Sequence, residues 1–230
     1  MRVSRRALIL LCVLAGIIVL GWIAWRRSEV VSPRAGSNGV IIEKRGEDFA
    51  SRTFDPASPP ADMPPMSSGE VAVCDSNFTS GVNVSGDVRD RDSTHEIVTI
   101  ARVRVTLGLE ITIWLPAGAA QHVVEHEDGH RQISEFYYRD AENIVQRIAA
   151  GYVGKQEAVS GADLNGQADA WLQQMGKDIS DEYNRELNPD PAQQRYDLIT
   201  DYSRNGVAAA DGVGQVLQDV VGAPATNTGN

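Results

Sequence analysis

Apolar and polar positions alternate from Glu70 to Leu115, in short stretches rich in Val, Ile and Thr such as EIVTIARVRVTLG and LEITIWLP. A period of two with β-branched residues is typical of strands in a half-buried antiparallel sheet. We expect Gly108 to bend the chain between the last two strands, since glycine inside a strand pattern often marks a bend. This part of the chain therefore predicts a small antiparallel sheet.

After Pro116 the apolar positions recur every three to four residues, which is the spacing of one helix face. This spacing predicts a helix over about 119–150 and a second over about 168–187. Prolines 189 and 191 end the second helix, because each removes a backbone donor and disfavours helix in the preceding residue. A third helix begins near Pro191. The fold class predicted is α+β, a sheet followed by helices.

Residues 7–25, ALILLCVLAGIIVLGWIAW, form an uncharged run long enough to span a bilayer. A cleaved secretory signal is the alternative, but the run ends in Trp-Arg-Arg and offers no small-residue cleavage site close behind it. We therefore predict a single-pass anchor in the inner (cytoplasmic) membrane, within residues 1–27. Arg2, Arg5 and Arg6 favour a cytoplasmic N-terminus, so the rest of the chain would face the periplasm or the cell exterior.

Residues 28–68 contain six of the ten prolines and few large apolar side chains. Such a composition buries too little surface to offset the entropy of ordering, so it predicts a flexible spacer. Residues 222–230, GAPATNTGN, are predicted to be a disordered tail. The domain itself would then occupy residues 69–221.

The charge of the exported part limits its partners. Without the five arginines beside the apolar run, 16 Lys and Arg face 31 Asp and Glu, which gives about −15. This charge argues against nucleic acid as a partner, since phosphates repel acidic surfaces. Cys74 is the one cysteine after the apolar run, so this part of the chain cannot form an internal disulfide.

The predicted first helix contains the sequence His126-Glu127-Asp128-Gly129-His130. Histidines four residues apart project from one helix face, so their nitrogens can bind one Zn²⁺ ion. Glu127 beside them can accept a proton from the water that attacks the substrate. This HExxH pattern predicts a zinc-dependent hydrolase. The other histidines, His95 and His122, are interpreted as surface residues.

A longer resemblance rests on VVEHEDGHRQISEFYYRDAENI and on the later QRYDLITDYSRNG. These segments resemble the DUF922 family of bacterial secreted or anchored zinc proteases, whose HExxH helix is followed by a Y-D-x-x-T-x-H-G/S segment. Tyr196, Asp197, Thr200 and Ser203 match that segment. The resemblance covers about residues 70–207 and implies a zincin-like fold and a peptide or protein substrate.

The family's histidine position is Tyr202 in this chain, so the third protein ligand that a catalytic zinc normally takes must lie elsewhere. Asp201 is the first candidate and Tyr202, as a phenolate, is the second. Asp197 comes third, because the family pattern suggests that it orients a ligand histidine. The remaining candidates are acids of the second helix, Asp178, Asp181 and Glu182, or no third ligand.

Two functions follow from these observations. The first is a membrane-anchored zinc endopeptidase in which Glu127 is the general base. The second is a zincin-fold binding module, tethered to the membrane, that has lost catalysis together with its third ligand.

Overall fold

The computed structural model of the protein describes residues 34–35, 39–67 and 69–222. The strands are β1 (Arg34–Ala35), β2 (Val40–Lys44), β3 (Asp48–Phe54), β4 (Val73–Arg89), β5 (His95–Pro116) and β6 (Gln156–Ser160). The helices are α1 (Gln121–Ala150), α2 (Leu164–Glu186), α3 (Asp190–Thr200) and α4 (Ala209–Gly222). The predicted anchor and all of the predicted tail after Gly222 lie outside these residues. No helix within the described ranges is long and apolar enough to cross a membrane.

Strand β5 is the centre of a six-stranded mixed sheet. Strand β4 runs antiparallel to it with a register shift between Ser85 and Gly86, and β6 is also antiparallel to its first residues. The predicted bend at Gly108 is wrong, because β5 continues unbroken through that residue. A Cβ there would lie 2.7 Å from Thr79 Oγ1, so glycine serves the close approach of β4 instead.

The prediction of a flexible spacer is wrong for residues 40–54, which belong to the sheet. β2 and β3 run parallel to β5, with Val40 opposite Val103 and Phe54 opposite Pro116. The reason is local: VIIEK and DFASRTF carry apolar residues that the proline-rich composition of the whole stretch conceals. The sheet is therefore larger than predicted and is not purely antiparallel.

Alternate residues of β5 form the main core against α1 and α2. The side chains of Val103, Val105, Leu107, Leu109 and Ile111 are almost fully buried there. From the helices they meet Tyr138, Ala141, Val145, Ile148, Ile179 and Tyr183. The period of two along β5 and the period of three to four along α1 thus face each other across one apolar layer.

The three helices predicted from the sequence are present, and α4 is an additional one. A second apolar cluster joins Ile133 of α1, Ala192 and Tyr196 of α3, and Val213 and Val216 of α4. Pro191 lies in the first turn of α3, where its missing N–H removes no intrahelical hydrogen bond. This cluster fixes α3 against the part of α1 that carries the HExxH sequence.

Candidate metal centre

The residues of the HExxH sequence on α1 differ in their burial and in their partners. His126 and Glu127 are buried, and His130 is nearly so. Asp128 faces away from them and accepts hydrogen bonds from Arg131 Nε at 2.7 Å and Gln132 Nε2 at 2.8 Å. The two histidines and Glu127 therefore share one site, and Asp128 belongs to a surface ion pair.

Helix α3 supplies the other half of the site from one face. Gln193, Tyr196, Asp197 and Thr200 recur at the spacing of a helix face and all point at α1. Asp197 Oδ1 lies 2.9 Å from His130 Nε2 and 3.3 Å from His126 Nε2. The two Nε2 atoms are 3.2 Å apart. Among the described residues, His126, His130 and Asp197 are the group of three that could hold a metal ion.

The structure brings neither Asp201 nor Tyr202, the predicted third ligands, into the group of His126, His130 and Asp197. Helix α3 ends at Thr200, and both residues adopt left-handed backbone angles, with φ of 46° and 53°. This turn ends the helix face on which Asp197 and Thr200 lie. Asp201 instead pairs with Arg204 at 2.8 Å, and the Arg204 guanidinium lies over the Tyr202 ring.

The acids of the second predicted helix also lie outside this group and have other partners. Asp178 accepts a hydrogen bond from Gln174, Asp181 pairs with Lys177, and Glu182 accepts from the Tyr152 hydroxyl. His95 and His122 are exposed, as the sequence predicts for surface histidines.

Hydrogen bonds to backbone carbonyls fix the tautomer of His130. The Gln193 amide nitrogen donates to the His130 carbonyl at 3.1 Å, and a carbonyl can only accept, so the amide oxygen must face the ring. That oxygen lies 2.6 Å from His130 Nδ1. Nδ1 therefore carries the hydrogen, and Nε2 of the neutral ring presents a lone pair to Asp197 and His126.

The same reasoning applies to His126. The Thr200 hydroxyl donates its one hydrogen to the Tyr196 carbonyl at 2.8 Å. Thr200 Oγ1 must then accept from His126 Nδ1, which lies 3.3 Å away. His126 Nε2 thus also presents a lone pair. Two imidazole lone pairs and a carboxylate oxygen converge without a hydrogen between them, which is favourable only around a cation.

Charge in the site supports this requirement for a cation. Burial opposes the charged form of His130, but the hydrogen bond that the protonated ring donates to Asp197 and the charges of Asp197 and Glu127 outweigh it and raise the pKa of His130. Burial likewise raises the pKa of Asp197, while the hydrogen bonds and charges of the two histidine rings, when these are protonated, lower it more. In the absence of a metal ion, protons would therefore take the place of the cation.

The donor set fits zinc. Zinc bonds to histidine nitrogen and carboxylate oxygen are about 2.0–2.1 Å long, so the ligand atoms of a tetrahedral site lie about 3.3 Å apart. The three separations of 3.2, 3.3 and 2.9 Å are close to this value. The site could thus take the ion with little movement of the side chains.

An open cleft of about 240 Å³ gives access to the site. Residues of α1, of the segment from Glu70 to Ser76 and of the start of α3 line it, including His126, His130 and Glu127. Burial raises the pKa of Glu127 to about 7, the charges of Glu70 and Asp197 act in the same direction, and the charge of His130 opposes them. A carboxyl group with this pKa can both accept and return a proton near neutral pH.

No protein-family model, curated protein or solved structure matches this chain. The resemblance to the DUF922 family therefore stays a prediction. Function is therefore inferred from the residues of the site and their geometry.

Two glycines form a slot for Tyr196, which sequence reasoning did not assign to the site beyond its match to the family segment. The Tyr196 ring is fully buried and stacks on His126, with ring centroids 4.9 Å apart. A Cβ on Gly129 would lie 2.2 Å from the tyrosine oxygen, and one on Gly212 would lie 3.0 Å from the opposite ring edge. The glycine inside the HExxH sequence thus allows α3 to approach α1.

We expect Gly129→Ala to destabilise the protein by about 1–3 kcal/mol, the usual cost of overpacking, although alanine is the better helix former by about 1 kcal/mol. Thermal unfolding measures the effect. Zinc affinity should fall as well, since a displaced α3 moves Asp197. Gly214→Ala is the matched control, because its Cβ would meet nothing within 4 Å. A Gly129→Ala protein as stable as the parent would contradict the close packing of Tyr196 against Gly129.

Proposed function

We propose that the protein is a membrane-anchored, zinc-dependent endopeptidase with a zincin-like domain. His126, His130 and Asp197 would hold the ion, and Glu127 would be the general base. The observation that carries the proposal is the convergence of two histidine lone pairs and a carboxylate oxygen beside a buried glutamate in one open cleft.

Each residue of the site has a distinct part. When bound, zinc would polarise the peptide carbonyl and lower the pKa of a water molecule. Glu127 accepts a proton from that water as its oxygen attacks the carbonyl carbon, and returns it to the leaving amine nitrogen as the C–N bond breaks. Burial of Glu127 raises its pKa above the ordinary carboxyl range, which makes it a stronger base than an exposed glutamate. Gln193 and Thr200 keep the two ligand nitrogens free of hydrogen.

A peptide or protein substrate suits the chemistry of the site and the accessibility of the cleft. The cleft is open to solvent and is not an enclosed cavity, so an extended polypeptide could reach the site, which supports an endopeptidase. The apolar run at residues 7–25 supports attachment to the inner membrane, with the domain on the periplasmic or outer face. The acidic charge of the exported part favours a protein partner over nucleic acid.

We expect Glu127→Gln to slow peptide hydrolysis by about 10²–10⁴-fold, the usual contribution of a general base, while zinc remains bound. The measurement is cleavage of an unfolded, fluorescently labelled protein by the full chain in detergent, together with the zinc content of each variant. Glu125→Gln on the exposed side of the same helix is the matched control and should be fully active. A chelator should abolish the activity of the parent, and added zinc should restore it.

The same experiment separates the two functions predicted from the sequence. A parent chain that binds zinc but cleaves no peptide would favour the binding module. Full activity of Glu127→Gln would contradict the endopeptidase mechanism.

A further inference from the structure

Gln193 lies at the centre of a polar network that joins three elements of the fold. Its amide oxygen accepts from His130 Nδ1 at 2.6 Å. Its amide nitrogen donates to the His130 carbonyl at 3.1 Å and to the Ser134 hydroxyl at 2.9 Å. Ser134 is fully buried, and its hydroxyl lies 2.9 Å from that of Ser76 on β4. The network therefore runs from a metal ligand on α1, through α3, to the strand that lines the cleft.

We propose that Gln193 is a positioning residue that sets the zinc affinity of the site by fixing the tautomer and ring orientation of His130. The proposal rests on the zinc site proposed above. Gln193 is not itself a metal ligand. It contacts His130 at two points, the ring Nδ1 and the backbone carbonyl. Rotation of the ring would break the 2.6 Å hydrogen bond and turn Nε2 away from Asp197.

The two ligand histidines are held unequally. Thr200 contacts His126 Nδ1 at 3.3 Å, a long hydrogen bond, whereas Gln193 contacts His130 Nδ1 at 2.6 Å. His126 is additionally held by stacking on Tyr196, which meets His130 only edge-on. His130 thus depends on a polar partner for its orientation more than His126 does.

The network also links the metal ligand to the wall of the cleft. Ser76 and Gln193 both line the cleft, and Ser134 connects them behind it. A peptide that displaced β4 at Ser76 would act on the same hydrogen bonds that orient His130. Gln193 consequently ties the ligand to the substrate-lining strand and to its own helix.

The test uses the full chain in detergent, stripped of metal, with zinc affinity measured by competition against a chromophoric chelator. We expect Gln193→Leu to weaken zinc binding by about 10–100-fold, the usual effect of removing such a partner. Gln194→Leu, on the exposed neighbouring residue of the same helix, should bind as the parent does. Gln193→Glu should keep the affinity within about threefold, because a carboxylate still accepts from His130 Nδ1.

Gln193→Glu also separates positioning from a merely structural role. The carboxylate cannot donate to the His130 carbonyl, so the melting temperature of the metal-free protein should fall while zinc affinity is retained. Should Gln193→Leu not fold, Ser134→Ala keeps Gln193 but removes the hydroxyl that contacts it, the Ser76 hydroxyl and the His130 carbonyl. It should weaken zinc binding about fivefold, the worth of one hydrogen bond.

Three results would overturn the proposal. Parent-like zinc affinity in Gln193→Leu or Ser134→Ala would show that the network does not set the affinity. Equal losses of affinity in Gln193→Leu and Gln193→Glu, in proportion to their losses of stability, would assign Gln193 a structural role. A parent chain without zinc would remove the metal site itself, and this outcome is distinguished by the parent measurement alone.

Discussion

A chain that begins at Gly69 should not fold, whereas a chain that begins at Ser28 should give one cooperative melting transition. The shorter chain lacks β2 and β3, which pair with twelve residues of β5. It also lacks Val40, Ile42 and Phe54, whose side chains are at most 4% exposed. Burial of three such side chains contributes about 5–9 kcal/mol. This is comparable with the whole stability of a typical domain, about 5–15 kcal/mol.

The exposed edge of β5 adds a second effect to the truncation. Its unpaired backbone groups would favour pairing with other chains, so aggregation should accompany the loss of structure. Circular dichroism and size-exclusion chromatography of the two fragments measure both effects. Within the longer chain, Ile42→Ala should destabilise by about 2–5 kcal/mol, and Ile41→Ala, at the less buried neighbouring position, by less. A soluble, cooperatively melting fragment from Gly69 would contradict the sheet topology.

Only the local part of the fold could be predicted from the sequence. Period-two and period-three-to-four patterns are local, so the strand region, α1, α2 and α3 could be predicted from them. Strands β2 and β3 could not, because they pair with β5 across about sixty residues and their short apolar runs lie beside a proline-rich segment. The composition of the whole stretch concealed Val40–Lys44, a run of three β-branched residues followed by two charged ones.

The site also has one part that could be predicted from the sequence and one part that could not. His126, Glu127 and His130 lie within one helix, so their spacing alone brings them together. The third ligand depends on where α3 ends: Asp201 is four residues after Asp197 and would share its face if the helix continued. Neither glycine nor proline marks the end at Thr200, since the next glycine is Gly206. One signal for the third ligand was available in the sequence. A single face of the predicted third helix carries Gln193, Tyr196, Asp197 and Thr200.

Asp197→Ala should reduce zinc affinity by at least about 100-fold, since it leaves two histidines as the protein ligands of a site that normally needs three. Asp197 Oδ1 is within 3.3 Å of both ligand nitrogens, and no backbone movement is needed for it to reach a shared ion. Asp201→Ala and Tyr202→Phe should bind zinc as the parent does, because both side chains contact Arg204 instead.

The same expectation applies to Tyr202, the residue at the family's histidine position. Tyr202→His introduces a better zinc ligand at the position where the family segment has histidine. It should nevertheless leave the affinity unchanged, because the Tyr202 side chain lies against Arg204 and outside the group of His126, His130 and Asp197. An increase in affinity would contradict the assignment of Asp197.

The measurement that tests the metal centre most directly is the zinc content of the full chain, purified in detergent without a histidine tag, beside Asp197→Ala and Asp201→Ala. Elemental analysis should find about one zinc per chain in the parent and in Asp201→Ala, and almost none in Asp197→Ala after dialysis against a weak chelator. Full zinc in Asp197→Ala with loss in Asp201→Ala, or a parent chain without zinc at all, would contradict the site of His126, His130 and Asp197.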